Sequence, residues 1–215
     1  MHRRTRGEQQ PMTLQELERS AQQPHDALAA LSDTVVFGEG PEDADWMIVG
    51  EAPGEDEDQS GRPFVGRAGQ LLDRILDSVD LARDDVYITN LVKRRPPGNR
   101  NPTLAEIDAS SPILVQQIKV IRPRIIATLG NVPTRWFLAT QEGITHLHGT
   151  WHDWNGIRVM PLYHPAYLLR NPSRERGKPK WQMWEAMKDL AAALATLPSD
   201  VELTPIDTSR QGALF

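Results

Sequence analysis

The sequence contains no cysteine. This absence excludes disulfide bonds, thiolate zinc sites, a cysteine nucleophile and an iron–sulfur cluster held by thiolates. The sequence also lacks a run of about 18 apolar residues, which is the length that a membrane-spanning helix requires. No apolar stretch follows the charged residues 1–10, so we expect no secretory signal there. Together these absences favour a cytoplasmic protein without a membrane span.

The 215 residues are enough for one ordinary α/β domain, and the formal net charge of −5 argues against a uniformly basic nucleic-acid binder. Two segments depart from that acidic total. Residues 93–100 contain four cationic side chains and no acid, and residues 170–180 contain five cations and one acid. A single charged run is usually a solvated loop. Two such runs beside apolar strands favour a polyanionic partner.

Short apolar segments alternate along the chain with longer amphipathic ones, which predicts parallel strands connected by helices. We therefore expect an α/β fold, a three-layer α/β/α sandwich with a central four-stranded parallel sheet. The four predicted strands are residues 46–49, 86–89, 125–129 and 157–162.

Helix starts are signalled twice by a capping box, at Thr13 with Glu16 and at Thr103 with Glu106. Residues 144–154 suggest a small β excursion that precedes the last strand. The organisation we expect is a flexible N-terminal tail (residues 1–12), one domain (residues 13–197) and an extended C-terminal tail (residues 198–215).

Ligands of open α/β sheets bind beyond the carboxyl ends of the strands. Those ends carry a Gly/Pro loop at residues 50–54, the amide of Asn90, and the imidazole of His164. An amide can hydrogen-bond to a pyrimidine edge and an imidazole can act as acid, base or donor, but both residue types also occur in plain turns. Phe64 could stack on a flat ring or simply anchor its loop to the core.

Four separated motifs, GEAPGEDEDQSGRPFVGRAGQLLD, ITNLVKRRPPGNRNP, TLG and HPAYLLRNPS, resemble the uracil-DNA glycosylase superfamily, closest to its family 4 type. The resemblance covers about residues 23–196. It implies a base excision repair enzyme that flips uracil out of DNA and hydrolyses its N-glycosidic bond. No lysine occupies a matched pocket position, so a lyase step is not expected. The alternatives are a non-catalytic damaged-DNA-binding module of the same fold, and a nucleotide-binding protein that uses GEAPG for phosphate.

The resemblance also implies a role for each residue of the base pocket. Phe64 would stack on the flipped uracil, Asn90 would read the uracil edge, and Glu57 would crowd C5 so that thymine is refused. Glu51 and Ala52 would lie beside the sugar and the attacking water. Because Ala52 stands where the best-known branch has a carboxylate, Glu51 is the candidate to order that water.

His164 would stabilise negative charge on uracil O2. The loop from Tyr167 to Arg170 would enter the minor groove, with Leu168 or Leu169 filling the vacated stack. We assign DNA binding to both leucines and to three arginines: Arg170, Arg95 and Arg100.

Family 4 members hold a [4Fe–4S] cluster through four cysteines, and the matching positions here are Gln23, Asp26, Arg94 and Ser110. We therefore expect no cofactor. Our hypothesis is that Asp26 pairs with Arg94, while Ser110 or Gln23 satisfies the remaining donors. The alternative is that this region repacks loosely and its side chains point to water.

Three histidines, His146, His148 and His152, are close in sequence, but we expect hydrogen-bonded or solvated imidazoles there and no metal. The chain ends in QGALF, in which Gln211, Leu214 and Phe215 resemble the peptide that bacterial repair proteins insert into the sliding clamp. The alternative is that Leu214 and Phe215 pack on the core of the protein itself. A monomer is the default expectation.

Overall fold

The computed structural model describes residues 12–23, 25–196 and 206–209. Its sheet has five strands in the order β2-β1-β3-β5-β4. The strands are β1 (Trp46–Gly50), β2 (Tyr87–Asn90), β3 (Ile125–Leu129), β4 (His152–Trp154) and β5 (Ile157–Leu162).

The four predicted strands are confirmed, and they pair in parallel. The expected strand number is corrected from four to five, because β4 pairs antiparallel with β5 at the edge of the sheet. Asn155 and Gly156 join these two strands with φ angles of 52° and 85°. Two successive positive φ values form the tight turn that folds one strand back on the next.

Both capping boxes are present, and each begins a helix at the next residue. The β excursion expected at residues 144–154 is half wrong, because it opens with a helical turn. The segment from Tyr167 to Arg170, expected to be a loop, is helical as well. The described helices are α1 (Leu14–Ala21), α2 (Glu55–Ser60), α3 (Arg67–Asp77), α4 (Leu104–Ile121), α5 (Asn131–Leu138), α6 (Ile144–Leu147), α7 (Pro165–Arg170) and α8 (Pro179–Thr196).

Each face of the sheet has its own apolar core, which gives the three layers expected from the sequence. Along β1, Met47 and Val49 pack with α1, α4 and α5, whereas Trp46 and Ile48 pack with α3, α7 and α8. Successive side chains of a strand point to opposite faces, so a strand covered on both sides reads as a continuous apolar run. None of the helices in the described ranges is long and apolar enough to cross a membrane.

Arg94 occupies the region that the resemblance associates with cluster ligands. Its guanidinium donates to four main-chain carbonyls rather than to a carboxylate, and Asp26 forms no ion pair with it, so the predicted Asp26–Arg94 pair is wrong. A guanidinium has five N–H donors in a rigid plane, so it can bind several carbonyls that the end of a helix and a loop leave without main-chain partners. The acceptors are the carbonyls of Ala21, Gln22, Ser32 and Asp33, at 2.6–3.4 Å.

Ser110 is buried, and its hydroxyl accepts the main-chain N–H of Lys93, the residue before Arg94, at 3.1 Å. Ser110 therefore satisfies a main-chain donor of this region, although the Asp26–Arg94 pair that the hypothesis placed beside it does not form. A guanidinium and a hydroxyl do not provide the thiolates that an iron–sulfur cluster requires, so the residues present do not fit that group.

Candidate active site

A cavity of about 770 Å³ opens at the carboxyl ends of the parallel strands. The register of the sheet pairs Gly50 with Asn90, which brings the ends of β1 and β2 to the same level. The structure gathers around this cavity all six residues that we singled out for the base pocket: Glu51, Ala52, Glu57, Phe64, Asn90 and His164.

Asn90 presents a buried side-chain oxygen to this region. The residue is 1% exposed, and its Oδ1 has no hydrogen-bond partner in the described part of the chain. A Cβ added at Gly50 would collide with that Oδ1 and lie 2.6 Å from Cζ of Phe64. Only glycine therefore lets the amide and the ring approach each other here. An unpaired buried acceptor is costly, which points to a donor supplied by a ligand.

Lys93 holds the main chain of Asn90 in place, a role that the sequence analysis missed. Its ammonium group is fully enclosed and donates to the Asn90 carbonyl at 2.7 Å, to Thr89 Oγ1 at 2.6 Å and to Gln117 Oε1 at 2.6 Å. Burial pushes the pKa of Lys93 well below its usual value. The segment KRRPPGNR has the composition of a charged surface loop. Nothing in the neighbouring sequence distinguishes Lys93, which is buried, from the other cations of this segment.

Phe64 has a left-handed backbone conformation with φ of 51°, which is uncommon for a large residue. The guanidinium of Arg83 stabilises this conformation, because it donates to the carbonyl of Phe64 at 3.3 Å and to that of Pro63 at 2.7 Å. The same guanidinium is fixed by Glu39 at 2.7 Å and by Asp73 at 2.8 Å. An ion-pair network outside the cavity therefore orients the aromatic ring that lines it.

Glu57 connects the two loops of the cavity. Its carboxylate accepts the N–H groups of Val65 and Gly66 at 2.8 and 2.9 Å, and that of Gly54 at 3.1 Å. Three main-chain donors hold this carboxylate rigidly, so it forms a fixed acidic wall between the GEAPG loop and the Phe64 loop.

His164 precedes α7 and caps it, because its Nδ1 accepts the N–H of Ala166 at 3.1 Å. An accepting Nδ1 leaves Nε2 to carry the proton of the neutral ring. Burial, with a smaller contribution from the positive charge of Arg170, lowers the pKa of His164 to about 4, while Glu57 opposes the shift. The imidazole is therefore a neutral Nε2–H donor at physiological pH.

Glu51 follows β1 directly and lines the cavity. Burial raises the pKa of Glu51, because the charged form loses solvation. Its neighbour Ala52 contributes only a methyl group. Of these two side chains at the end of β1, only that of Glu51 can accept a proton or a hydrogen bond from a water molecule in the cavity.

The leucines of α7 do not share one environment. Leu168 is 1% exposed and belongs to the apolar core that α3 and α8 also line, so its predicted insertion into DNA is wrong. Leu169 is half-buried, and Arg170 is exposed at the rim of the cavity. Helical geometry decides the difference, because adjacent residues point about 100° apart.

The two arginines of the first basic segment that we assigned to DNA are engaged in ion pairs. Arg100 contacts Glu106 at 2.6 Å, and this arginine lowers the pKa of Glu106 to about 2. Arg95 lies 3.6 Å from Glu55 and 3.8 Å from Asp58 of α2.

The three histidines have separate surroundings. His148 stacks on Tyr163, with 3.8 Å between ring centroids, while Nε2 of His152 lies 2.8 Å from the Thr150 hydroxyl and His146 is exposed. Within the described residues, no group of three or more His, Asp or Glu side chains is arranged to hold a metal ion. The three residues of the predicted clamp motif, Gln211, Leu214 and Phe215, lie outside the described residues.

Comparison with known proteins matches residues 37–190 to the family model described as the Uracil DNA glycosylase superfamily. The Type-4 uracil-DNA glycosylase of Thermotoga maritima is 48% identical over 143 residues, which cover 66% of this chain and 74% of that protein. That of Saccharolobus solfataricus is 49% identical over 146 residues, covering 64% and 68%. That of Sulfurisphaera tokodaii is 48% identical over 147 residues, covering 64% and 67%.

Proposed function

The chain belongs to the uracil-DNA glycosylase superfamily, and from this premise we propose how its cavity removes uracil from DNA. The protein is a monofunctional uracil-DNA glycosylase of base excision repair, a hydrolase that acts on the N-glycosidic bond. The observation that carries the mechanism is the shared cavity of Asn90, Phe64 and His164, in which an unpaired amide oxygen, an aromatic ring and a neutral imidazole meet.

Uracil within a duplex must be rotated out of the stack, at a cost of a few kcal/mol. In the cavity, the unpaired Oδ1 of Asn90 accepts the uracil N–H, and the face of Phe64 stacks on the base. We assign the exclusion of thymine to Glu57, because a carboxylate held by three N–H groups cannot move aside for a methyl group. Leu169 of α7 takes the place of the displaced base, and Arg170 at the rim of the cavity contacts the DNA beside it.

Hydrolysis breaks the bond between N1 of uracil and C1′ of the sugar, and the bonding electron pair leaves with the base. Nε2–H of His164 donates to O2 and stabilises the resulting anion, which is protonated on release. Glu51 orders the water whose oxygen bonds to C1′, and its proton passes to solvent or to Glu51. The products are uracil and an abasic site. With Ala52 in place of a carboxylate, we expect slower turnover than in relatives that have one there.

A fluorescent oligonucleotide with one uracil tests this proposal. We expect the wild-type protein to release uracil, and Asn90→Ala and His164→Ala each to reduce kcat by about 10²–10³-fold, the usual cost of losing one such donor or acceptor. A wild-type protein that binds the oligonucleotide without cleaving it would favour the alternative, a damaged-DNA-binding module.

We also propose that Gln211, Leu214 and Phe215 bind the bacterial sliding clamp. Exposure of apolar side chains such as Leu214 and Phe215 to water is unfavourable unless a partner covers them. Ile206 packs on the core and Asp207 donates its N–H to Asn155 Oδ1 at 3.3 Å, so the motif follows shortly after a docked stretch. A labelled peptide of residues 205–215 should bind a sliding clamp in a polarisation assay. Absence of binding, or equal binding by a peptide with both Leu214→Ala and Phe215→Ala, contradicts the proposal.

A further inference from the structure

We propose that the phosphates of the DNA strand beside the uracil cavity bind to the second basic segment, residues 170–180, and not to the first, residues 93–100. The proposal rests on the function above and adds the surface that holds the DNA. Read as sequence, the two segments carry the same excess charge of +4. Their difference becomes visible only in the contacts of the side chains.

All four cations of the first segment are engaged within the protein. Lys93 is buried in the network that holds Asn90, and Arg94 donates to main-chain carbonyls. Arg95 lies between Glu55 and Asp58, and Arg100 pairs with Glu106. A phosphate that approached this segment would compete with partners already in place, so little attraction remains.

The cations of the second segment are available. Arg170, Arg174, Arg176 and Lys178 are exposed and Lys180 is half-buried. None of these five side chains forms an ion pair or a hydrogen bond with any residue in the described ranges. Arg176 contacts only the face of Trp181, with 5.8 Å between its guanidinium carbon and the ring centroid.

The second segment also begins at the cavity itself. Arg170 lines the rim, and the remaining cations follow it along the connection from α7 to α8. Arg100 of the first segment lines the cavity too, but it is paired with Glu106, so the two segments differ in free charge and not in their distance from the cavity. Tyr163 forms a wall both of the uracil cavity and of a smaller cavity of about 300 Å³, which Trp181 also lines. A strand leaving the flipped nucleotide along α7 therefore finds unpaired cations, with the ring of Trp181 close to them.

Acidic side chains limit where that strand can run. Glu185 and Asp189 line the smaller cavity on its α8 side, where Glu185 pairs with Lys188 at 3.5 Å and Asp189 accepts from Trp151 at 2.8 Å. Phosphates are repelled from that wall and attracted to the exposed cations of the second segment. In a protein with a net charge of −5, this local field is what attracts DNA.

The test compares two double variants that remove equal charge, Arg174→Gln with Lys178→Gln and Arg95→Gln with Arg100→Gln. Affinity for a fluorescent duplex without uracil is measured from 50 to 200 mM salt, and circular dichroism checks that both variants are folded. Each phosphate contact contributes about 0.9 to the slope of log K against log[salt]. We expect the first variant to lower that slope by up to about 1.8, equivalent to roughly a tenfold change over this fourfold salt range. We expect the second to keep the wild-type slope.

Two results would overturn the proposal: a wild-type slope in the Arg174/Lys178 variant, or a reduction in the Arg95/Arg100 variant that equals or exceeds it. Uracil release, measured separately on the uracil oligonucleotide, distinguishes this failure from that of the proposed function. If the wild-type protein releases uracil but the slopes do not differ, only the assigned DNA surface is wrong.

Discussion

The rings of Phe64 and His164 lie 6.0 Å apart, centroid to centroid, at an interplanar angle of 35°. The first belongs to a loop between two helices and the second to the residue that caps α7. The position of each ring depends on a hydrogen bond made by another residue. Arg83 holds the main chain at Phe64, and the N–H of Ala166 holds the imidazole of His164, so changes at these supports should reach the cavity.

Arg83→Ala should lower kcat/KM for uracil release on the order of 10- to 100-fold, because Phe64 loses the two carbonyl contacts that hold its left-handed backbone in place. A double-mutant cycle with Phe64→Ala tests whether Arg83 acts through the ring, since coupled positions give non-additive effects. Arg62→Ala is the matched control, because Arg62 also pairs with Glu39 but is exposed and donates to neither carbonyl. Additive losses in the cycle would mean that Arg83 does not position Phe64.

Stability should fall as the pH drops from about 6.5 towards 4, because the pKa of His164 is about 4 in the folded protein and 6.5 in the unfolded chain. In that window the unfolded state binds more protons, so the free energy of unfolding rises with pH. We expect a loss of about 1–2 kcal/mol from this group between pH 7 and pH 5, measured by urea unfolding. His164→Gln should show a shallower dependence. Some slope will remain, because burial also lowers the pKa of His148 to about 4. An unchanged slope in the variant contradicts the assignment.

The acid limb of the kcat profile should lie above pH 4.5 and belong to Glu51. Burial raises the pKa of Glu51, and the protonated carboxyl cannot accept a proton from water, so turnover decreases as the pH falls through that value. Glu51→Gln should reduce kcat at least tenfold at pH 7 and abolish the limb. Glu55→Gln, an exposed neighbour that also lines the cavity, should retain it. A limb that persists in Glu51→Gln would assign the titration to another group.

Arg94→Ala should lower the free energy of unfolding by about 2–4 kcal/mol, because main-chain carbonyls lose their donor in a buried setting. Arg94→Lys should retain part of the stability, since an ammonium group cannot span both pairs of carbonyls. Urea unfolding of the three proteins measures the difference. A change below about 0.5 kcal/mol in Arg94→Ala would mean that this side chain does not tie α1 to the loop at residues 32–33.

Features that depend on neighbours in the chain were predictable. Thr13 and Thr103 begin helices because each has a glutamate three residues later, and that spacing alone satisfies the first free N–H groups. The four parallel strands follow from short apolar runs, which only a sheet covered on both faces can bury. Strand ends in turn indicated that Asn90 and His164 meet at one edge.

Features that depend on distant partners were not predictable. Leu168 and Leu169 are identical residues, and only the packing of α7 against α3 buries the first. Asp26 was the plausible partner of Arg94 by charge, yet carbonyls at the end of α1 lie closer. A β excursion before the last strand was expected, but whether its short strand joins the sheet depended on an open edge at β5.

The amino-acid order by itself determined the α/β alternation, the family motifs and the set of residues that can meet at the strand ends, because these follow from spacing and local backbone preference. The tertiary structure decided which charges remain free, how Phe64 and Asn90 are held, and which imidazole nitrogen carries a proton. Such properties arise from distances between segments far apart in the chain, where burial and hydrogen-bond geometry set the free energy of each group.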